Sequence, residues 1–273
     1  MIFKITYIAE DLQVKAYLGF PNNINITSAN LKDFIPNIDV DAEVVSSIIP
    51  KVYEVENIQL PAFIYCRGGI GHFGRVKPSW VEAFANQGYV VLAPCYRGHE
   101  GGEGRDEFGG ADEEDVHAAF RLLQSLPFVQ SEKISIMGFS RGSINATKTA
   151  IKFPTTHKLI LWGGVSSLIQ TYEERVDLRR MLKRVIGNPN KVPEAYYKRS
   201  PIKQVHNITC PVLIMHGSVD HQVDVSHGVN LYRELKSQSK KTTLHLFENY
   251  GHHLPLTFHQ DAIENMFEWI KND

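Results

Sequence analysis

Cysteine is scarce in this 273-residue chain, which contains three cysteines and no CxxC pair. Cys66, Cys95 and Cys210 are odd in number and far apart, so neither a disulfide framework nor a zinc site is indicated. We predict that all three are buried free thiols in a protein of a reducing compartment, the cytoplasm.

Long apolar runs and a charge excess are missing as well. No segment approaches the roughly 18 apolar residues of a membrane span. Residues 1–11 alternate apolar with polar side chains, which predicts a strand and not a secretory signal. The formal net charge is −1, so no attraction to nucleic acid or to an anionic membrane is expected. These absences predict a globular protein without a nucleic-acid or membrane partner.

What is present is an alternation of short apolar runs with segments of helical period, without internal repeats. This pattern is typical of a mostly parallel, doubly wound α/β sheet with helices on both faces. Residues 3–8 and 14–20 are expected to form an antiparallel edge. The other predicted strands, rich in Val, Ile and Leu, are 62–66, 90–94, 133–137, 158–162, 211–216 and 243–248. With 43 % hydrophobic residues, residues 1–273 are predicted to form one domain.

Two segments interrupt the alternation. Residues 21–60, Asn-rich at first and mixed around 46–50, are predicted to be an insertion that either contacts a second copy or narrows the functional site. Residues 163–206 include the charged run 173–184, which indicates either a solvated helix face or a small helical cap over the strand ends. The sequence leaves these alternatives open, and with them a homo-oligomer.

The sharpest local motif is Gly138-Phe-Ser140-Arg-Gly142, which follows a predicted strand and precedes a helical stretch. In a nucleophile elbow the chain turns so sharply from strand to helix that glycine is needed on both sides of the serine. The serine hydroxyl then projects above the sheet, close to the positive end of the following helix. We therefore predict that Ser140 is a catalytic nucleophile.

A serine hydroxyl needs a base, and the base needs an acid that orients it. In elbow-bearing sheets these residues follow in the order Ser, Asp or Glu, His. Asp220 follows strand 211–216 and His252 follows strand 243–248, so both lie at carboxyl ends of strands, where such sheets bind ligands. The predicted triad is Ser140, Asp220 and His252.

Two neighbours compete for these roles. Asp224 is more simply explained as the N-terminal cap of the next helix. His253 adjoins His252, but Gly251 immediately precedes His252 and favours the earlier histidine.

A tetrahedral intermediate also needs hydrogen-bond donors for its oxyanion. One predicted donor is the backbone N–H of Arg141, directly after the nucleophile. The second is predicted in the glycine-rich loop 67–72 after strand 62–66, from Gly69 or Ile70.

The same loop spells GxGxxG over residues 69–74, which resembles a dinucleotide fingerprint. That reading requires an acidic residue at the end of the next strand to hold a ribose hydroxyl. The strand instead ends in Ala93-Pro94-Cys95-Tyr96, so no nucleotide cofactor is predicted.

Taken together, the motifs resemble the catalytic domain of the prolyl oligopeptidase family, within the α/β-hydrolase class, over residues 60–273. The segments that carry the resemblance are Tyr96-Arg97-Gly98, the Gly-rich 101–110, 112–115, 138–142, Ser200-Pro201-Ile202, 210–217 and Asp220. The resemblance implies hydrolysis of peptide or ester bonds through an acyl-enzyme, without metal or cofactor.

The chain departs from that family in three respects. It has no room for the propeller domain of the large members. Arg67 stands where many relatives have His or Tyr before the two glycines, and Ile70 replaces a proline, which raises the question whether Tyr65 assists the oxyanion donors. Ser143 stands where many relatives have a second glycine after the elbow.

The predicted function is that of a serine hydrolase, a carboxylesterase or a small-peptide hydrolase, acting on a small ester or short peptide. The leaving group of an ester needs less help from proton transfer than that of an amide, so esterase activity is the safer expectation. Two alternatives are a non-catalytic binding protein on the same fold and an acyltransferase. The complete triad argues against the first, and exclusion of water from the site would decide the second.

Overall fold

A central sheet organises the structure, a computed structural model that describes residues 1–45, 53–55 and 58–272. The strands are β1 (Ile2–Ala9), β2 (Leu12–Gly19), β3 (Ile24–Asn25), β4 (Asp39–Val45), β5 (Tyr53–Glu54), β6 (Leu60–Cys66), β7 (Val90–Pro94), β8 (Val129–Phe139), β9 (Leu159–Trp162), β10 (Val212–Gly217) and β11 (Thr242–Phe247). The helices are α1 (Ser28–Phe34), α2 (Pro78–Ala85), α3 (Glu113–Ser125), α4 (Gly142–Lys152), α5 (Leu168–Glu174), α6 (Arg179–Val185), α7 (Pro193–Tyr197), α8 (Val225–Ser237) and α9 (Leu256–Lys271).

Within the described residues the main sheet has nine strands, in the order β11-β10-β9-β8-β6-β7-β2-β1-β4. Strands β6 to β11 run parallel to one another, whereas β2 pairs antiparallel with both β7 and β1. The predicted mostly parallel sheet is confirmed. Each parallel strand lies within four residues of its predicted bounds, because short buried runs of Val, Ile and Leu specify such strands.

The sheet separates two hydrophobic cores. Along β6, Ala62 and Ile64 face the core built with α3, α4 and α8, while Phe63 and Tyr65 face the core built with α2 and α9. Side chains of a strand alternate between faces, so a strand covered on both sides is apolar throughout.

The antiparallel end of the sheet differs from the prediction. β1 and β2 pair as expected, but β4 lies outside β1, so the prediction that the first two strands form the edge is wrong. β4 was concealed by its charges, Asp39, Asp41 and Glu43, which alternate with apolar residues as is typical of a protected edge strand. Lys15 on β2 reaches Asp41 at 3.1 Å and links the end strands.

Within segment 21–60, β4 lies at this end of the sheet and contacts α1, while β3 and β5 form a separate two-stranded pair. Residues 58–60 lead into β6, in the middle of the sheet. The mixed sequence 46–50 falls outside the described residues. Segment 163–206 contains α5, α6 and α7, which pack a small core of their own around Leu168, Leu182 and Tyr196. This core also contacts Phe108 and Val223, on loops beside the carboxyl ends of the parallel strands.

The three cysteines are buried and unpaired, as predicted. Burial raises the pKa of the Cys66 and Cys210 thiols to about 12, which leaves them protonated and unreactive at neutral pH. In the described part of the chain no helix is both long and apolar enough to cross a membrane.

Phe267 anchors α9 on the sheet, with its ring centroid 4.8 Å from those of both Phe63 and Tyr89. We expect Phe267→Ala to lower the free energy of unfolding by about 3–5 kcal/mol, because it leaves a cavity in a fully buried cluster. Urea denaturation measures the change. The matched control is Phe258→Ala on the same helix, where the side chain is half exposed and the expected loss is less than about 1 kcal/mol. Equal losses at the two positions would contradict this account.

Candidate active site

Ser140 lies at a sharp turn between β8 and α4, with a left-handed φ of 56°. A Cβ on Gly138 would come within 2.4 Å of Ser143 Cα, and a Cβ on Gly142 would come within 2.1 Å of the Cys66 carbonyl oxygen. Only glycine fits at either position, which is the close packing that a nucleophile elbow requires.

Hydrogen bonds hold the strained serine in place. Its N–H donates to the Trp162 carbonyl at 2.9 Å, and its own carbonyl accepts from the N–H groups of Ser143 and Val165, both at 3.2 Å. The Ser143 hydroxyl lies 2.8 Å from the Ser140 carbonyl oxygen and 2.7 Å from that of Val165. The hydroxyl at this position therefore ties the elbow to the loop after β9.

Asp220 and His252 lie together although 32 residues separate them, with Asp220 Oδ2 2.7 Å from His252 Nδ1. Asp220 Oδ1 accepts from the N–H groups of Gln222 and Val223, at 2.8 and 3.0 Å. Burial raises the pKa of this carboxyl, but the hydrogen bond and charge of His252 and the two N–H donors bring it below its ordinary range. An ionised Asp220 can only accept, so Nδ1 of His252 carries the proton and Nε2 is left as the basic nitrogen.

Neither of the two competing residues forms the aspartate–histidine contact. Asp224 accepts a hydrogen bond from the Ser226 N–H at 2.9 Å and caps α8. His253 is exposed, and it is His252 that contacts Asp220.

His216, which was not predicted as a site residue, lies beside the acid. Its Nε2 lies 2.9 Å from the Val223 carbonyl oxygen and 3.5 Å from Asp220 Oδ2. Burial lowers the pKa of this histidine, so it is neutral at physiological pH and donates to Val223. Its position at the end of β10, four residues before the acid, was the one available signal.

Five of the six predicted site residues line one cavity of about 970 Å³, and the sixth, Asp220, contacts His252 without lining it. Ser140, Arg141 and His252 line it from one side, and Gly69 and Ile70 line it from the loop after β6. A Cβ on Gly68 would lie 2.9 Å from Ser140 Cβ, which shows how closely this loop approaches the elbow.

The walls of the cavity were not predicted. Tyr65 and Trp80 stack with centroids 5.5 Å apart, and Phe139 meets Trp80 edge-on at 5.0 Å, so one wall is aromatic. These residues come from β6, α2 and β8, and nothing in their sequence spacing indicates that they meet. Tyr65 lines the cavity, and burial raises the pKa of its hydroxyl, which stays protonated.

Another part of the lining comes from segment 163–206. It consists of Val165 and Thr171 and, from the charged run 173–184, Arg175, Asp177, Leu178 and Met181. Arg175 binds both carboxylate oxygens of Asp177, at 2.9 and 2.7 Å, and donates to the Gln222 carbonyl at 2.8 Å. Of the residues 21–60 that the structure describes, none lines this cavity.

Beneath the elbow, the Arg141 side chain points into a buried ion cluster. Its two terminal nitrogens bind the two oxygens of Asp106, at 2.7 and 2.9 Å. Burial opposes both charges, but the pairing holds the pKa of Asp106 well below and that of Arg141 well above its ordinary value. The Tyr96 ring lies 4.8 Å from the Arg141 guanidinium. The cluster was not predicted, because its members are distant in sequence.

A mostly parallel sheet with a nucleophile elbow, and with a histidine lining the same cavity as the elbow serine, has the fold of an α/β-hydrolase. The model of the prolyl oligopeptidase family matches residues 76–273. The chain belongs to that family, and it is a serine hydrolase of the peptidase type.

Relatives of different lengths share this similarity. The chain is 45 % identical over 216 residues to the "Uncharacterized peptidase YtmA" of Bacillus subtilis (strain 168), covering 78 % of this chain and 84 % of that protein. It is 24 % identical over 246 residues to a dipeptidyl-peptidase 5 of Porphyromonas gingivalis, covering 82 % of this chain but 35 % of that protein. The acylaminoacyl peptidase of Pyrococcus horikoshii superposes with a TM-score of 0.76 at 18 % identity, over 99 % of this chain and 41 % of that one. This likeness establishes the fold.

A smaller chamber of about 290 Å³ adjoins the cavity, and its walls include Trp80, Trp162 and His259. The His259 ring packs against both indoles, which are themselves stacked with centroids 5.8 Å apart. Its centroid lies 4.5 Å from that of Trp80 and 5.3 Å from that of Trp162. Its Nε2 is buried without a hydrogen-bond partner among the described residues. Burial, with Lys77 and His253 nearby, lowers its pKa to about 4.

As the pH falls, His259 therefore takes up a proton near pH 6.5 in the unfolded chain. In the folded protein it does so only near pH 4. The corresponding stability is present above pH 6.5 and is lost as the pH falls toward 4. We expect His259→Phe, which keeps the stacking, to reduce the loss of unfolding free energy between pH 7 and pH 5 by about 1 kcal/mol, after discounting for partial exposure. Urea denaturation at both pH values measures it, and an identical pH dependence in the two proteins would contradict it.

Proposed function

We propose that this protein cleaves carboxylic ester and small peptide bonds through an acyl-enzyme formed on Ser140, with His252 as base and Asp220 as orienting acid. The observation that carries the proposal is the 2.7 Å contact between Asp220 and His252, together with the cavity that His252 and the elbow serine both line. The family to which the chain belongs consists of serine peptidases, which supports the same chemistry.

In this mechanism each transferred proton has a donor and an acceptor. Nδ1 of His252 is held by the ionised Asp220, so Nε2 takes the proton from the Ser140 hydroxyl as the oxygen attacks the carbonyl carbon. Asp220 stabilises the imidazolium that forms. It is itself held by two backbone N–H donors, so neither ring nor carboxylate has to reorganise.

The carbonyl oxygen becomes an oxyanion when Ser140 attacks. The Arg141 N–H, at the start of α4, is one donor, and the N–H of Gly69 or Ile70 on the facing loop is the second. The helix N-terminus adds a favourable electrostatic potential at the same point.

Collapse of the tetrahedral intermediate requires a proton on the departing oxygen or nitrogen. His252 donates the proton that it took from Ser140, and the leaving group departs. Water then enters, His252 removes its proton, and the acyl group is released by the same steps in reverse. An acyltransferase would replace this water by another acceptor, so product analysis in water separates the two activities.

The charges of the cavity point to a substrate without a free amino terminus. Among the described residues that line it, Asp177 is the one carboxylate, and Arg175 binds both of its oxygens. Lys77 adds a positive charge on the aromatic side. A substrate ammonium would thus lose water without gaining an unpaired carboxylate, so we propose N-acylated or uncharged acyl groups as substrates.

One prediction of the proposed function concerns the triad. Ser140→Ala and His252→Ala should lower kcat on p-nitrophenyl acetate and butyrate by at least about 10⁴-fold, because no base-activated nucleophile remains. His253→Ala is the matched control, since this adjacent histidine does not contact Asp220, and its kcat should stay within about tenfold of wild type. Turnover and labelling by a fluorophosphonate probe measure both effects.

Retained turnover in Ser140→Ala, or a larger loss in His253→Ala than in His252→Ala, would overturn the triad. Absence of both turnover and labelling in the wild-type protein would instead favour a binding protein on the same fold.

Another prediction of the proposed function concerns the charge of the substrate. N-acetyl-alanine p-nitroanilide should be cleaved with a kcat/KM at least about tenfold higher than alanine p-nitroanilide at neutral pH, because desolvating the ammonium costs roughly 1–2 kcal/mol or more without a partner. A preference for the free amine would refute this substrate class while leaving the triad untouched.

A further inference from the structure

Arg67 immediately precedes the glycines of the loop that faces the elbow, yet its side chain does not reach the cavity. It is 1 % exposed and, among the described residues, is not part of the cavity lining, although Gly68, Gly69 and Ile70 are. The loop therefore lies between the Arg67 guanidinium and the reacting atoms.

The guanidinium is fixed from behind. Its Nε and one terminal nitrogen donate to the Cys95 carbonyl at 3.0 and 2.7 Å. Asp106 Oδ2 lies 3.5 Å away, and the Tyr96 ring lies 4.6 Å from the guanidinium carbon. Because Asp106 also binds Arg141, one carboxylate joins the loop to the residue after Ser140.

The remaining terminal nitrogen of Arg67 points toward the loop. It lies 3.0 Å from the carbonyl oxygen of Gly68 and 3.2 Å from that of Gly69. In a planar trans peptide the C=O and the following N–H point in opposite directions. With both carbonyls turned back to Arg67, the N–H groups of Gly69 and Ile70 face the cavity.

We propose that Arg67 is a positioning residue for the oxyanion hole. It binds the Gly68 and Gly69 carbonyl oxygens and so turns them away from Ser140, which directs the N–H groups of Gly69 and Ile70 toward the oxyanion. Its positive charge also polarises those two peptide groups, which strengthens their N–H donors. Arg67 touches no reacting atom. This inference rests on the proposed function, because it assigns a role within that reaction.

A thiocarbonyl tests the assignment, because sulfur accepts hydrogen bonds poorly and gains little from an oxyanion hole. We compare kcat/KM on p-nitrophenyl acetate with that on its thiono analogue, which carries C=S in place of C=O. Arg67→Lys should lower the value for the oxygen ester by about 10–100-fold, mainly through kcat, and lower the oxygen-to-sulfur ratio at least about fivefold. Partial unfolding cannot mimic this result, since both substrates report the same folded fraction.

The matched control is Arg97→Lys. Arg97 is also buried and ion-paired, to Asp115 at 2.8 Å, and the hydrogen bonds of its side chain go to Asp115 and Glu10. The oxygen-to-sulfur ratio of kcat/KM in Arg97→Lys should equal that of the wild-type protein. Arg67→Gln, which lacks the charge, should lower the ratio at least as far as Arg67→Lys.

An unchanged ratio in both Arg67 variants, with equal losses on the two esters, would overturn the positioning role and leave the triad standing. Retained turnover in Ser140→Ala, measured beside them, would overturn the proposed function and this inference with it.

Discussion

The close approach of β8 and α4 around Ser140 is the constraint on which the rest of the site depends. A left-handed backbone at a residue with a side chain is unfavourable, and it persists only where the surroundings over-determine it. Here Gly138 and Gly142 allow the backbone of Ser143 and the carbonyl of Cys66 to approach within distances that no Cβ would tolerate. The turn therefore fixes the serine, the start of α4 and the loop after β6 relative to one another. The positions of the proposed oxyanion donors follow from that arrangement.

A cluster of buried charged side chains packs beneath this turn. Burying arginines is costly unless each is paired and its hydrogen bonds are satisfied. Asp106 meets that condition for Arg141 through two short bonds and approaches Arg67 from the same side. Tyr96, fully buried, lies against both guanidiniums. Such a cluster contributes little net stability, but it permits one arrangement of the loop and the elbow and penalises alternatives, because any displacement leaves a buried charge unpaired.

The cavity joins two contrasting walls. The wall from α2 and the sheet is aromatic and rigid, since Tyr65, Trp80 and Phe139 pack against one another within the main core. The wall from segment 163–206 has its own small core and contributes the Arg175–Asp177 ion pair to the lining. An apolar wall favours uncharged acyl groups, and a paired carboxylate offers nothing to a substrate ammonium. The proposed substrate class thus depends on which charges of segment 163–206 are already paired.

By itself the sequence determined the parallel strands, the elbow at Ser140 and the order in which Asp220 and His252 follow it. Local periodicity indicates the strands, and each of the three residues lies a few positions after the end of one. It also indicated the loop of Gly69 and Ile70. Only the tertiary structure decided that β4 forms the edge, since its alternating charges resemble a solvated loop until pairing with β1 is seen. The aromatic wall, the Asp106 cluster and the pairing of Arg175 were equally hidden. They join side chains from separate elements, and no local pattern encodes contacts between residues that are distant in sequence.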